Sequence, residues 1–147
     1  MKIVATNKNV NFNYFILETY EAGIVLQGCE VKSVRQNGMT LNESFIIIKN
    51  NEVFLKNAFI KPYQTRQGFA PKPDRDRKLL LNKNEILKLT QKTSQKGLAL
   101  VPIKVYLSHN IFKVEIGLGR GKKLYDKKDT LKERDIKKET LRQIKSF

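Results

Sequence analysis

Short apolar segments separated by turn-forming residues follow one another through the first 118 residues of the chain. Between residues 112 and 118 the apolar residues occupy every second position, which is typical of a strand with one buried face. Short strands at regular spacing indicate a small barrel or a sandwich. The pattern therefore predicts a mainly β domain.

Two hairpins are predicted within this pattern. In each, two apolar segments flank a short connection that contains asparagine, a residue that tolerates the left-handed conformation of a tight turn. The first hairpin joins 41–48 to 52–55 through Lys49-Asn50-Asn51, and the second joins 100–107 to 111–118 through Ser108-His109-Asn110.

Two strands are expected to be irregular. Residues 16–26 have an extended pattern with a break at Glu21-Ala22-Gly23. Pro102 lacks the N–H that a ladder hydrogen bond requires, so its strand should lie at an edge or contain a bulge.

Two helices are predicted between the strands. Residues 82–96 begin with Asn82 and Glu85, which are spaced as in a capping box, and end before Gly97, which suits the C′ position. A shorter helix is expected over 30–35, before a turn-forming Asn-Gly pair.

Two segments lack the pattern of a packed element. Residues 62–77 contain prolines and few apolar groups, which indicates a long loop. Residues 119–123 are interpreted as a flexible basic hinge, and the aliphatic residues beyond them form no continuous helical stripe. We therefore expect a barrel over 1–118 and a basic tail over 119–147 that is disordered alone and helical when bound.

The charge of the chain indicates its partner. Among 147 residues, 29 are Lys or Arg and 14 are Asp or Glu, which gives a net charge of +15. Residues 1–48 hold four basic and four acidic residues, whereas 49–118 hold fourteen and five and 119–147 hold eleven and five. Such a surface is typical of a protein that neutralises nucleic-acid phosphates, with a purely solubilising charge as the alternative.

Few residues could support catalysis or metal binding. One cysteine, Cys29, and one histidine, His109, cannot form an internal disulfide or a Cys/His zinc site. P-loop, GxGxxG and HExxH motifs are absent from the sequence. We predict a non-enzymatic protein without cofactor or metal. Because neither a bilayer-spanning segment nor a secretory signal is present in the sequence, we expect it in the cytoplasm.

Basic residues concentrate before and along the predicted 82–96 helix. They are Arg75, Arg77, Lys78, Lys83 and Lys88. Because a helix N-terminus also attracts anions, this cluster is a candidate phosphate site, with a solvated basic face as the alternative. Asp74 and Asp76 are expected to pair with the neighbouring arginines rather than hold a metal.

Aromatic residues near basic residues can stack on bases or ribose. They are Phe12, Tyr14, Tyr63, Phe69 and Tyr125. For Phe12 and Tyr14, burial in the core is an equal alternative, whereas Tyr125 has no core nearby.

Five blocks, in order along nearly the whole chain, resemble a known family. They are Asn7-Lys8, YEAGIVLQGCEVKS (20–33), RDRKLLLN (75–82), KGLALVP (96–102) and GKKLYDKK (121–128). With these blocks the chain closely resembles the SsrA-binding protein family, small protein B. The resemblance implies a six-stranded antiparallel barrel of the oligonucleotide-binding type with small helices. It also implies binding to the tRNA-like domain of transfer-messenger RNA and its delivery to stalled bacterial ribosomes, where the tail occupies the decoding centre and the mRNA channel.

The resemblance further implies which residues contact RNA. The family's contacts with the tRNA-like domain fall on Asn7, Glu21, Leu80, Asn82 and Lys113, and Arg77 and Lys78 join them from the basic cluster. Lys113 suits a phosphate, whereas Glu21 must accept a hydrogen bond from a base amine or a 2′-hydroxyl, or orient a basic neighbour. The implied ribosome-engaging residues are Gly121, Lys122, Lys123, Tyr125, Asp126, Lys127 and Lys128. Lys128 stands where the family usually has Arg, and it lacks the bidentate fork.

Two other functions stay open at this point. A ribosomal or general nucleic-acid-binding protein would share the charge and the barrel, but it would not prefer a tRNA-like elbow to a plain duplex. A small nuclease would need a carboxylate or histidine cluster that this sequence lacks. The partners we expect are transfer-messenger RNA and the decoding centre of the small ribosomal subunit. We expect the protein to be a monomer and not to bind a membrane.

Overall fold

The computed structural model describes residues 1–62, 72–95 and 97–122. Nine strands and three helices lie within these ranges. In chain order they are β1 (Lys2–Thr6), α1 (Val10–Asn13), β2 (Tyr14–Ile24), α2 (Gly28–Arg35), β3 (Met39–Thr40), β4 (Phe45–Lys49), β5 (Glu52–Lys56), β6 (Phe59–Ile60), β7 (Arg77–Leu80), α3 (Lys83–Thr93), β8 (Leu98–Ser108) and β9 (Ile111–Gly121).

Six of the described strands close into an antiparallel barrel in the order β8, β4, β5, β7, β2 and β9, with β9 pairing again with β8. β1 pairs with the C-terminal half of β8, and β3 pairs with β6 in a separate small sheet. The expected six-stranded antiparallel barrel with small helices is therefore confirmed.

Both predicted hairpins are confirmed, and each has a two-residue turn. Asn50 and Asn51 join β4 to β5, and His109 and Asn110 join β8 to β9. All four residues have positive φ, between 50° and 64°. Two consecutive left-handed residues give the turn a twist that matches the twist of the strands.

The strand β4 begins later than the apolar pattern predicts. Residues 41–44 form a turn in which the Ser44 hydroxyl donates to the Leu41 carbonyl at 2.5 Å and Glu43 has positive φ. Pairing with β5 therefore starts only at Phe45, after this turn.

The strand β2 has no break at residues 21–23, which corrects the sequence prediction. Its irregularity is a register shift between Ile16 and Glu18. Gly23 continues the strand, and a Cβ built on it would lie 3.4 Å from the Cβ of Leu80. The glycine therefore permits close approach of β7 rather than a turn.

The strand β9 continues to Gly121, so the flexible hinge predicted to start at residue 119 is wrong. Gly119 pairs with Ile16, and Gly121 pairs with Tyr14. A Cβ on Gly119 would lie 3.0 Å from the Cβ of Tyr14, which shows that the absence of a side chain serves strand packing. The register of β8 also shifts between Pro102 and Lys104, so the predicted bulge is confirmed.

The two predicted helices are α2 and α3. α2 begins at Gly28, two residues earlier than predicted, and the side chains of Gln27 and Glu30 form its capping box. α3 follows Asn82, but Asn82 makes no side-chain capping hydrogen bond, so the capping box predicted there is absent. α3 ends at Thr93 with Ser94 as its C-cap, so the predicted end at residue 96 and the C′ position of Gly97 are wrong. Gly97, with φ of +87°, instead leads into β8.

The core lies inside the barrel and beneath α2 and α3. The barrel strands contribute buried residues such as Val53, Leu55, Leu79, Val105, Val114 and Ile116, and the helices contribute Val34 and Leu89. Full burial of one such side chain contributes about 1.5–3 kcal/mol. Within the described residues, no helix has the length and apolar character needed to cross a bilayer.

Candidate nucleic-acid interface

The strand register brings several predicted RNA-contact residues to one outer face of the barrel. One row of directly paired residues crosses β7, β2, β9 and β8, and it consists of Leu80, Gly23, Lys113 and Tyr106. A second row, two residues along β2, consists of Glu21, Glu115 and Lys104. Between the rows, Ala22 and Val114 are buried, so the paired residues of both rows belong to the opposite, outer face.

Leu80 and Asn82 place apolar and amide groups at one end of this face. Leu80 is 52% exposed, although it is a large apolar residue, and the neighbouring Gly23 has no side chain to cover it. Asn82 is exposed at the start of α3 and does not cap the helix with its side chain. Both residues can therefore meet a ligand without rearrangement of the strand.

Asn7 follows β1 and lies beside the bulge in β8, outside the two rows. Its backbone N–H donates to the Ile103 carbonyl at 2.8 Å, and its side-chain Nδ2 donates to the Pro102 carbonyl at 3.0 Å. Both bonds tie the end of β1 to the bulge in β8. An open cavity of about 480 Å³, which Asn9 and Asn13 also line, adjoins Asn7.

Two carboxylates lie opposite each other on this face. Glu21 on β2 pairs with Glu115 on β9, and like charges at directly opposed positions destabilise a sheet. Two lysines offset this repulsion, since Lys113 Nζ lies 3.9 Å from Glu21 Oε1 and Lys104 Nζ lies 3.5 Å from Glu115 Oε2. Glu21 thus contacts a basic neighbour, as one of its three predicted roles requires.

The Tyr106 hydroxyl donates a hydrogen bond to the second oxygen of Glu21, Oε2. Burial, together with this bond, raises the pKa of Tyr106 from its ordinary value of 10.0 to about 12. The hydroxyl therefore keeps its proton at neutral pH and remains a donor.

An absorbance titration of the phenolic groups is expected to show one tyrosine that ionises near pH 12 and disappears in Tyr106→Phe. Because the folded-state pKa is raised, the stabilisation from this group is complete below pH 10 and is lost as the pH rises from about 10 to 12. Over that pH interval, the free energy of unfolding measured with denaturant should fall more steeply in the wild type than in Tyr106→Phe. An unchanged late-titrating signal in Tyr106→Phe would contradict the assignment.

Arg77 is not available for RNA, which corrects the sequence prediction. Its side chain is fully buried, and its Nε and Nη2 donate to Glu30 Oε2 at 3.0 and 2.7 Å. Nη1 also donates to the Ala58 carbonyl at 2.5 Å, and Nη2 to the Pro73 carbonyl at 2.9 Å. The guanidinium therefore ties α2 to Ala58, directly before β6, and to Pro73, in the segment before β7.

The rest of the predicted basic cluster is divided between two environments. Arg75, like Arg77, donates to Glu30. Asp76 Oδ2 lies 3.6 Å from Lys56 Nζ. The expected pairing of the aspartates with the adjacent arginines is therefore wrong. Lys78 is exposed and 3.5 Å from Glu52. Lys78 therefore remains a candidate for phosphate contact, as do the exposed Lys83 and Lys88 on α3. No group of three potential metal ligands occurs in the described ranges.

Arg120 and Lys122, at the start of the predicted tail, contact the barrel. The Lys122 backbone N–H donates to the Asn13 carbonyl at 2.9 Å. The Lys122 ammonium and the Arg120 guanidinium lie 4.7 and 5.3 Å from the centre of the Phe15 ring. Phe15 was not singled out by the sequence pattern. The other predicted tail residues, Lys123, Tyr125, Asp126, Lys127 and Lys128, lie outside the described residues, as do Tyr63 and Phe69.

Comparison with known proteins supports one family over nearly the whole chain. Residues 4–146 match the family described as SmpB protein. The chain is 50% identical to the SsrA-binding protein of Persephonella marina over 145 residues, which cover 99% of this chain and 95% of the relative. It is 51% identical to the SsrA-binding protein of Shouchella clausii over 144 residues, with coverage of 98% and 92%.

A solved structure described as "tmRNA-SmpB: a journey to the center of the bacterial ribosome" has the same fold. It is 43% identical, it matches with a TM-score of 0.69, and the match covers 86% of this chain and 92% of the other. Because the sequence family, the relatives and the fold agree along the chain, the protein belongs to the SmpB family of SsrA-binding proteins.

Proposed function

We propose that this protein binds the tRNA-like domain of transfer-messenger RNA and delivers that RNA to stalled ribosomes for trans-translation. The observation that carries this proposal is the near full-length similarity to SsrA-binding proteins, together with the shared fold of tmRNA-SmpB in the bacterial ribosome. The protein acts as an RNA-binding factor in the cytoplasm, and we assign it no catalytic step.

The outer face of β7, β2, β9 and β8 is the surface we assign to the tRNA-like domain. Lys113 and Lys78 supply cations for phosphates, which fix the position of the RNA without reading its sequence. Leu80 offers an apolar contact to a base, and Asn7 and Asn82 offer amide groups to ribose or base edges. Glu21 repels phosphates, so its carboxylate selects for a hydrogen-bond donor of the RNA.

We assign the tail to the ribosome. β9 ends at Gly121, and Lys122 is the last described residue of the barrel surface. The segment from Gly121 to Lys128 then supplies the ribosome-engaging residues, and 123–147 folds in the decoding centre and the mRNA channel. Since the barrel's own strands extend to Gly121, the boundary between the two functions lies near residue 122 rather than at 118.

Binding to the tRNA-like domain is expected to exceed binding to a random RNA duplex, and to weaken steeply with salt. Each neutralised phosphate contributes about 0.7–0.9 to the slope of log K against log salt. Lys113→Ala should therefore reduce that slope by about one contact, whereas Lys49→Ala, at the exposed β4–β5 end, should not. Titrations at four salt concentrations measure both.

Equal affinity for the tRNA-like domain and the duplex would refute the proposed function and favour a general nucleic-acid-binding protein. An unchanged slope and an unchanged affinity in Lys113→Ala would instead remove only this residue from the interface.

A further inference from the structure

Tyr106 is a buried residue of the outer face that neither the charge pattern nor the family resemblance singled out. It is 7% exposed and pairs directly with Lys113 across β8 and β9. Its hydroxyl donates to Glu21 Oε2, 85 residues away in the chain. Lys104 Nζ lies 5.9 Å from the centre of its ring. Tyr106 thus binds Glu21 directly and lies beside two lysines of the face, Lys104 and Lys113.

We propose that Tyr106 is a positioning residue of the RNA site, which holds the Glu21 carboxylate so that its other oxygen accepts a hydrogen bond from the RNA. This inference rests on the proposed function and names the chemistry that Glu21 recognises. The donor is a base N–H or a ribose 2′-hydroxyl, and it is not a phosphate.

The contacts of Glu21 hold its side chain in one conformation. A glutamate side chain that is 58% exposed would normally sample several rotamers, and it would lose that freedom on binding. The buried Tyr106 hydroxyl holds Oε2 from one side, and the ammonium of Lys113 lies on the side of Oε1 at 3.9 Å. Because 3.9 Å is longer than a hydrogen bond, Oε1 retains its capacity to accept one.

The surroundings also select the ligand group. Glu115 lies opposite Glu21, so a phosphate placed at Glu21 Oε1 itself would meet two carboxylates. The phosphate assigned to Lys113 therefore approaches this lysine from the side away from Glu21. An open cavity of about 260 Å³, lined by Thr19, Glu21, Lys104, Tyr106 and Glu115 among others, adjoins the pair. Its volume is small beside pockets for drug-sized ligands and suits one unstacked base or one ribose.

The test is a double-mutant cycle on binding to the tRNA-like domain, with wild type, Tyr106→Phe, Glu21→Gln and the double variant. Glu21→Gln should weaken binding at least ten-fold, because it removes a hydrogen bond to a charged group. Tyr106→Phe should weaken binding roughly five-fold, and the double variant should bind no more weakly than Glu21→Gln alone. The salt slope should stay at the wild-type value in Tyr106→Phe, since no phosphate contact is removed.

Ser33→Ala is the matched control, because it also removes a part-buried hydroxyl that makes a hydrogen bond. Ser33 of α2 donates from Oγ to the Lys61 carbonyl at 2.6 Å, and it does not line the cavity beside Glu21. Loss of its hydroxyl should leave RNA affinity unchanged.

Two RNA series separate the possible donors. One replaces single unpaired guanines of the tRNA-like domain by inosine, which removes only the 2-amino group, and the other removes single 2′-hydroxyls. A substitution that weakens binding to wild type, but not to Glu21→Gln, identifies the group that Glu21 accepts from.

Unchanged binding in Tyr106→Phe, or penalties that add fully in the double variant, would overturn the positioning role. If wild type still prefers the tRNA-like domain in that case, the proposed function stands while this inference fails. If wild type shows no such preference, the proposed function itself has failed.

Discussion

Replacement of Glu30 by glutamine is expected to lower the free energy of unfolding by about 3–5 kcal/mol, because it leaves two arginines without their buried counter-charge. Glu30 is 3% exposed, and Arg77 is fully buried beside it. The carboxylate accepts from both arginines and from the Gln27 backbone N–H at 2.9 Å. Chemical denaturation of Glu30→Gln against wild type measures the loss.

An exposed ion pair provides the matched control. Glu52 and Lys78 lie 3.5 Å apart, with side chains 50% and 46% exposed. Such a pair contributes about 0–1 kcal/mol, so Glu52→Gln should change stability little. Similar losses in Glu30→Gln and Glu52→Gln would show that the buried cluster does not hold α2 to β7.

The pH dependence gives an independent check on Glu30. Burial raises the pKa of Glu30, but hydrogen bonds from Arg75, the Gln27 backbone and Arg77 outweigh it, so the pKa lies below its ordinary 4.5. A lowered folded-state pKa means that the stabilisation is present above pH 4.5 and is lost as the pH falls through the folded value. Wild type should therefore lose stability below pH 4.5 more steeply than Glu30→Gln.

Truncation after Lys122 is expected to abolish tagging on stalled ribosomes while leaving the barrel and its RNA binding intact. The free energy of unfolding should change by no more than about 0.5 kcal/mol, because no described barrel strand loses a residue. Affinity for the tRNA-like domain should also persist, since every proposed contact precedes residue 118. Denaturation, RNA titration and a tagging assay measure these three outcomes separately.

Three further variants sharpen this prediction. Truncation after Leu118 removes residues of β9 that pair with both β2 and β8, so it should destabilise the barrel, unlike truncation after Lys122.

Tyr125→Ala should reproduce much of the tagging defect and Tyr125→Phe should not, because one base–aromatic stack contributes about 1–3 kcal/mol. Full tagging by the protein truncated after Lys122 would refute the division of labour, and loss of RNA binding would place the RNA site in the tail.

The hairpins were predictable because they depend on local signals. Asn50-Asn51 and His109-Asn110 supply the left-handed residues, and alternating apolar residues beside them set the buried face. Gly23 and Gly119 misled the prediction, since a glycine that bends the chain and a glycine that admits a neighbouring side chain look alike in one sequence.

The sequence alone could not predict that Glu30 binds Arg75 and Arg77, because these residues are distant from it in the chain. Glu30 lies 47 residues from Arg77, and no local pattern pairs them. A signal for Arg77 did exist. It stands two residues before Leu79 in a strand, and so on the same, inward face. For the candidate site, the strand register was decisive, since Glu21, Lys113 and Tyr106 meet only through β2, β9 and β8.

The position of β9 between β2 and β8 also fixes when the protein can fold during its own synthesis. The barrel closes through pairs between residues about 100 positions apart, such as Ile16 with Gly119, so closure waits until β9 has left the ribosome. A nascent chain that stops after β8 but before β9 exposes the unpaired edges of β2 and β8, which invite aggregation or degradation. An interrupted message for this protein would thus yield a product that cannot bind RNA through the closed face.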